Sequence, residues 1–128
     1  MRTYPILATP VHAGFPSPAT DFVEDHLSLD ELLVEHPEAT YFVNVTGDSM
    51  VGFGIHNGDR LVVDRSLTPC DLQIVIVVLD DEFAVKQLCY TPKGTILRAG
   101  SPDYPDILVG PDQQLTIWGV ARWSIHKL

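Results

Sequence analysis

Hydrophobic positions change their period twice along this chain. Residues 1–20 show no period: Pro5, Pro10, Pro16 and Pro18 interrupt scattered small and apolar residues. Proline lacks an N–H donor, so this stretch excludes a helix, disfavours an inner strand and reads as an extended arm. From Ser28 the period becomes helical. Ser28-Leu29-Asp30-Glu31 fits a capping box, in which the Ser28 hydroxyl accepts one free N–H and the Glu31 carboxylate returns to the Ser28 N–H. Leu29, Leu32 and Leu33 share a face, and Pro37 closes a short helix that runs to about Glu35. Beyond it the signals are those of strands. Tyr41 to Thr46 is β-branched and aromatic, Arg60 to Asp64 follows, and the unbroken apolar run Ile74 to Leu79 suits a strand buried on both faces. Glu82 to Tyr90, Thr95 to Arg98, Ile107 to Val109 and Leu115 to His126 complete about seven strands, spaced by Gly, Pro, Asp and Ser. Asp80-Asp81 fits a two-residue hairpin turn, since aspartate tolerates positive φ. The pattern predicts a mainly β domain over residues 21–128 with one short N-terminal helix, preceded by the arm.

Composition narrows the class. At 128 residues, 45% hydrophobic and 20% charged, the chain builds one core and has no room for a second full-sized domain. A net charge of −9 argues against direct nucleic-acid binding and against acidic partners, because phosphate contacts need clustered Lys and Arg. Between Asp21 and Glu38 lie seven acids and no Lys or Arg, most simply a solvated face. No apolar run reaches the ~18 to 20 residues of a membrane span, and Met1 to Ala13 lacks the basic start and apolar block of a secretory signal, so no membrane partner and a cytoplasmic location are expected. Cys70 and Cys89 are too few for a metal cluster or a disulfide framework. His12, His26, His36, His56 and His126 show no metal-ligand spacing, and neither a metal nor a cofactor is expected.

The candidate chemistry sits at Gly47-Asp48-Ser49-Met50, a serine on a glycine-flanked turn between two strands. Such residues also make ordinary turns. A serine hydroxyl becomes a useful nucleophile only when a base removes its proton, and a lysine serves as that base only when neutral, a form that burial favours. Lys86 lies in the run Phe83 to Leu88, where strand alternation puts Ala84, Lys86 and Leu88 on one face. The plainer alternative is a lysine that guards an edge strand. Backbone N–H groups of Ser49 and Met50 are the simplest oxyanion donors. A Ser-His-Asp triad from Ser49, His56 and Asp59 or Asp64 lacks the G-x-S-x-G elbow, since Met50 and Val51 follow the serine. In the arm, Val11-His12-Ala13-Gly14-Phe15 has a thin backbone at Ala13-Gly14 that suits a narrow cleft, with Val11 pointing the same way as Ala13 when extended.

Taken together, Gly47-Asp48-Ser49-Met50, Gly54-Ile55, Gly58-Asp59, Leu61, Val63-Asp64 and Glu82-Phe83-Ala84-Val85-Lys86 resemble the self-cleaving Ser/Lys family that includes LexA-type repressors and UmuD. Gly14-Phe15-Pro16-Ser17-Pro18-Ala19 resembles the stretch that follows the cleaved bond in UmuD-like mutagenesis proteins. The resemblance implies a LexA/signal-peptidase-like fold of twisted antiparallel sheets, with Ser49 as nucleophile, Lys86 as general base and Ala13-Gly14 as the bond cut. It also implies a homodimer, activation by a RecA-type filament on single-stranded DNA, and a product that serves a Y-family translesion polymerase in the SOS response. The apolar residues Ile117, Trp118, Val120, Trp123 and Ile125, read as an edge strand, offer a surface for the dimer. The other functional class is a binding module that keeps the fold without using the dyad. Two departures touch turns: Leu72-Gln73 replaces the family's usual Gly-Asp, and Asp81 stands where the hairpin commonly has glycine. The arm before Ala13 is short, and a LexA-like repressor function does not carry over.

Overall fold

The computed structural model describes residues 2–16, 18 and 22–128. Ser17, Ala19 and Asp21, which figure in the sequence reading, lie outside them. The chain divides into two compact units, Met1–Glu35 and His36–Leu128.

In the first unit, β1 (Tyr4–Leu7) pairs antiparallel with β2 (Val23–Leu27), Pro5 standing opposite His26, with a bulge between Ile6 and Leu7. Both strands of a two-stranded ribbon are edges, which is where a proline without a donor is tolerated. The segment read as an arm therefore contains a strand, and the acids of Val-Glu-Asp-His-Leu, depleted in strands, hide its partner from pattern reading. Residues 11–16 between them are exposed and carry no regular structure. The helix α1 (Leu29–Leu33) starts as expected: the Ser28 Oγ accepts the Glu31 N–H at 3.3 Å. It stops earlier than Glu35, because Val34 already has extended backbone, φ −119°.

The second unit is one antiparallel sheet. Its strands are β3 (Thr40–Asn44), β4 (Arg60–Asp64), β5 (Ile74–Leu79), β6 (Glu82–Thr91), β7 (Gly94–Arg98), β8 (Ile107–Leu108) and β9 (Leu115–Ile125). They lie in the order β3-β4-β9-β5-β6-β7-β8. β9 is thus a central strand, hydrogen-bonded to β4 on one side and β5 on the other, and not the edge that its position in the chain suggests. Alternation along β5 feeds two cores, as its unbroken apolar run requires. Ile76 packs with Val45, Met50, Ile55, Leu61 and Val63, while Val75 and Val77 pack with Leu88, Leu97 and Val120. Each of the fully buried leucines among these, Leu61, Leu88 and Leu97, contributes roughly 1.5–3 kcal/mol relative to exposure.

Turns set the register. Asp80 and Asp81 take φ 49° and 67°, the left-handed pair of a type I′ hairpin. The Asp80 carboxylate also accepts the Gln114 N–H at 3.1 Å, tying this turn to the start of β9. Leu72 is held at φ 68°, a conformation that favours glycine. Its N–H donates to the Leu88 carbonyl at 2.7 Å, and the Leu88 N–H returns to the Gln73 carbonyl at 2.9 Å, so the start of the ladder fixes the strained residue.

Asp64, at the end of β4, is only 3% exposed. Its carboxylate accepts the Ser66 hydroxyl and N–H at 2.6 and 2.8 Å and meets the His36 Nδ1 at 2.6 Å. Burial pushes this carboxyl up, but the Ser66 hydroxyl, the His36 ring and the Ser66 N–H together hold it below its ordinary 3.8. The unfolded chain therefore binds the proton first as pH falls. The stability Asp64 contributes is fully present above 3.8 and disappears as pH drops through the folded value. Urea midpoints measured from about pH 5 down to about pH 2 should fall less steeply in an Asp64→Asn protein than in the parent; parallel curves would show that the carboxylate is not held this way.

Candidate active site

The segment between β3 and β4 is pinned at both ends before it carries any chemistry. The Val45 N–H donates to the Asp59 carbonyl and the Gly58 N–H to the Val45 carbonyl, both at 2.8 Å. Gly47 sits at φ 97°, a conformation that costs a side-chain-bearing residue about 1–2 kcal/mol, and its N–H donates to the Asn57 Oδ1 at 2.8 Å. Met50 is 2% exposed and anchors the turn in the core, while its carbonyl accepts N–H groups from Phe53 and Ile55. Ser49, one residue earlier, is left half-buried at the surface.

A second segment clamps the turn from outside. The Gly100 N–H donates to the Ser49 carbonyl and the Gly52 N–H to the Gly100 carbonyl, each at 2.7 Å. The two backbones approach so closely that a Cβ on Gly52 would lie 2.4 Å from the Gly100 oxygen. Sequence reading missed this clamp. Glycines at 52 and 100 are the only trace it leaves, and nothing in the linear order pairs them.

Ser49 and Lys86 line the same cleft, of about 500 Å³. Its walls are mainly apolar, built from Val43 and Val45 on one side, Phe83 and Val85 on the other, and Ile76 and Trp118 between, with Asn44 and Thr46 also in the lining. Trp118 meets Tyr41 and Phe83 edge to face, with ring centroids 5.3 and 6.0 Å apart, and carries the Arg65 guanidinium 4.4 Å from its ring centre. Lys86 stands opposite Val75 in the β5–β6 register and is half-buried, less enclosed than a core position. Among the described residues no carboxylate lines the cleft. Neither the Ser49 hydroxyl nor the Lys86 ammonium makes a hydrogen bond or ion pair with another described residue, and the N–H groups of Ser49 and Met50 donate to none. Those two N–H groups flank the hydroxyl.

The alternative triad does not assemble. His56 directs its backbone N–H to Asp59 at 2.8 Å, and neither His56, Asp59 nor Asp64 lines the cleft with Ser49. Asp59 is buried, 2% exposed, and its carboxyl is held below the ordinary value, first by the His56 N–H and then by the hydrogen bond from His126. Val11, Ala13 and Gly14 lie in the first unit, in its exposed irregular segment. No helix among the described residues is long and apolar enough to cross a membrane.

The clamp makes a direct prediction. A Gly52→Ala substitution puts its methyl against backbone, so one segment must move, at a cost of about 1–3 kcal/mol. Chemical denaturation should show that loss, and a Gly52→Ala protein as stable as the parent would mean that the two backbones separate freely.

Comparison with known proteins agrees with this architecture. The peptidase S24-like family model matches residues 5–122. The chain is 40% identical over 126 residues to protein MucA of Escherichia coli, covering 98% of this chain and 86% of that one. It is 41% identical over 125 residues to protein SamA of Salmonella typhimurium, with the same coverage of each chain. A LexA repressor from Photobacterium profundum is 37% identical over 112 residues, 87% of this chain but 58% of the repressor. A match of this extent, on a mainly β fold whose cleft brings Ser49 and Lys86 together, means that the chain belongs to the peptidase S24-like family as a UmuD-like member.

Proposed function

We propose that this protein is a self-cleaving serine protease of the DNA-damage response, cutting its own Ala13–Gly14 bond with Ser49 as nucleophile and Lys86 as general base. The observation that carries the reading is the shared cleft: a serine on a clamped turn and a lysine that pairs with no carboxylate among the described residues line one mainly apolar groove. A base for a serine hydroxyl must lie where it can reach that hydroxyl, and the shared cleft puts the Lys86 side chain on the same groove as Ser49. In the reaction Lys86 Nζ takes the Ser49 hydroxyl proton as Oγ attacks the Ala13 carbonyl carbon. The Ser49 and Met50 N–H groups receive the oxyanion, and the proton passes from Lys86 to the Gly14 amine as the peptide bond breaks. Water then releases the Ala13 acyl group from Ser49. Small side chains at 13 and 14 let an extended segment lie close to the turn, and Val11 fills an apolar subsite on the same side as Ala13.

The product beginning at Gly14 acts as an accessory subunit of a Y-family translesion polymerase, and a RecA-type filament stimulates the cut. The kinship with MucA and SamA supports this role. The protein works as a homodimer. Phe42, Val62 and Trp123 stand in one cross-strand row, with Phe42 and Trp123 61% and 44% exposed, an aromatic surface that self-association covers.

Purified protein incubated alone at alkaline pH should yield a fragment whose mass starts at Gly14, and Ser49→Ala and Lys86→Met proteins should yield none while melting as folded proteins. Cleavage that persists without the Ser49 hydroxyl, or a cut elsewhere, would falsify the assignment; a folded parent that never cuts, even with the filament, leaves the fold as a binding module. Light scattering on the same samples should give twice 14.2 kDa, and a mass that stays at 14.2 kDa across micromolar concentrations removes the dimer.

A further inference from the structure

Away from the cleft, the sheet brings His126 against His56 and Asp59, a pair from a distant turn. β4 and β9 run antiparallel with Arg60 opposite Ile125, so the next step of the register sets His126 beside Asp59. The His126 Nδ1 lies 2.6 Å from the Asp59 Oδ1. His56, three residues before Asp59 in the preceding turn, places its Nδ1 3.7 Å from the other carboxylate oxygen. The two imidazole rings face each other at 4.9 Å between centroids, tilted by 43°, and one ligand atom from each of the three residues falls within 4.8 Å of the others. Spacing along the chain hides this grouping, because only strand register adds His126 to the other two.

We propose that His56, Asp59 and His126 bind one divalent ion of the zinc, nickel or cobalt class. Two imidazole nitrogens and one carboxylate oxygen are the donors such borderline ions prefer, whereas calcium and magnesium favour oxygen alone and copper(I) favours sulfur. Bonds of about 2.0–2.2 Å in a tetrahedral arrangement separate ligand atoms by roughly 3.3 Å. The 3.7 Å contact of His56 is to the second oxygen, Oδ2, so for an ion held on Oδ1 the His56 ring turns in from a starting separation within 4.8 Å. The 2.6 Å pair opens by less than 1 Å as the ion replaces the hydrogen-bonded proton, which leaves to solvent. Asp59 is 2% exposed and already oriented by the His56 N–H at 2.8 Å and the Ser124 hydroxyl at 3.4 Å, the outer hydrogen bonds that fix a ligating carboxylate. Both rings are about half exposed, so water reaches the remaining coordination position.

The ion would act as a staple. It joins the end of β9 to the loop whose Asp59 carbonyl and Gly58 N–H hold Val45, four residues before Ser49. This inference does not rest on the self-cleavage reading, and its test needs no peptidase activity.

Untagged, metal-free protein titrated with zinc chloride should bind one ion per chain by calorimetry, and cobalt(II) should give the visible absorption of a nitrogen- and oxygen-ligated ion. His56→Gln and His126→Gln should each weaken zinc by at least about tenfold, the loss typical even of outer-shell partners, and His26→Gln should leave it unchanged. Zinc should raise the melting temperature of the parent and of His26→Gln but not of the other two, whose metal-free melts show that they fold. No saturable zinc binding, or binding that survives both substitutions, would overturn the site and leave an Asp–His hydrogen bond that closes the end of the sheet.

Discussion

Backbone pairing along β9 is the constraint on which the second unit depends. β4 and β5 are not hydrogen-bonded to each other; each completes its ladder only through β9. An unpaired strand here would leave a row of buried N–H and C=O groups, each costing about 1–3 kcal/mol. β9 meets its two neighbours with a register shift on each side, at Val62/Val63 and at Ile76/Val77. Such bulges bend a strand and increase its twist. They fall where Gly119 lets the Val63 side chain come within 2.5 Å of the place a Cβ would occupy. The Ser49 turn belongs to the β3–β4 side of that strand and Lys86 to the β5–β6 side, so the geometry of the cleft is inherited from β9.

The cleft also separates chemistry from charge. The chain carries −9, yet the described residues that line the groove are apolar, aromatic or uncharged polar, with Lys86 the one ionisable side chain among them. Trp118 closes its floor and is held by Arg65, which stacks on the ring and donates to the Trp118 carbonyl at 2.9 Å. The two buried carboxylates among the described residues, Asp59 and Asp64, meet histidine and hydroxyl partners and do not line the groove.

Local pattern carries the strands of the second unit because each needs only alternation or an unbroken apolar run, and Arg60–Asp64 and Ile74–Leu79 keep the bounds read from sequence. The Asp80-Asp81 hairpin is legible for the same reason: turn chemistry is local. Three features are not. β2 is written in acids, so its pairing with β1 outweighs propensity. The central place of β9 depends on strand order, which no window along the chain contains. At the site, Ser49 and Lys86 stand out through a motif, whereas the Gly52–Gly100 clamp and the His56–Asp59–His126 cluster come from register between distant segments.

Leu72 shows what such a framework permits. A leucine at φ 68° carries a penalty of about 1–2 kcal/mol that glycine would not. The paired bonds to Leu88 and Gln73 carry that penalty into the ladder of β6. Proteins tolerate replacements as long as they remain above the stability their task demands. A leucine fixed in a conformation that glycine takes freely marks a place where the hydrogen bonds of the sheet outweigh a local preference: the shape of this turn is lent to it by the ladder it opens and not by its own residue.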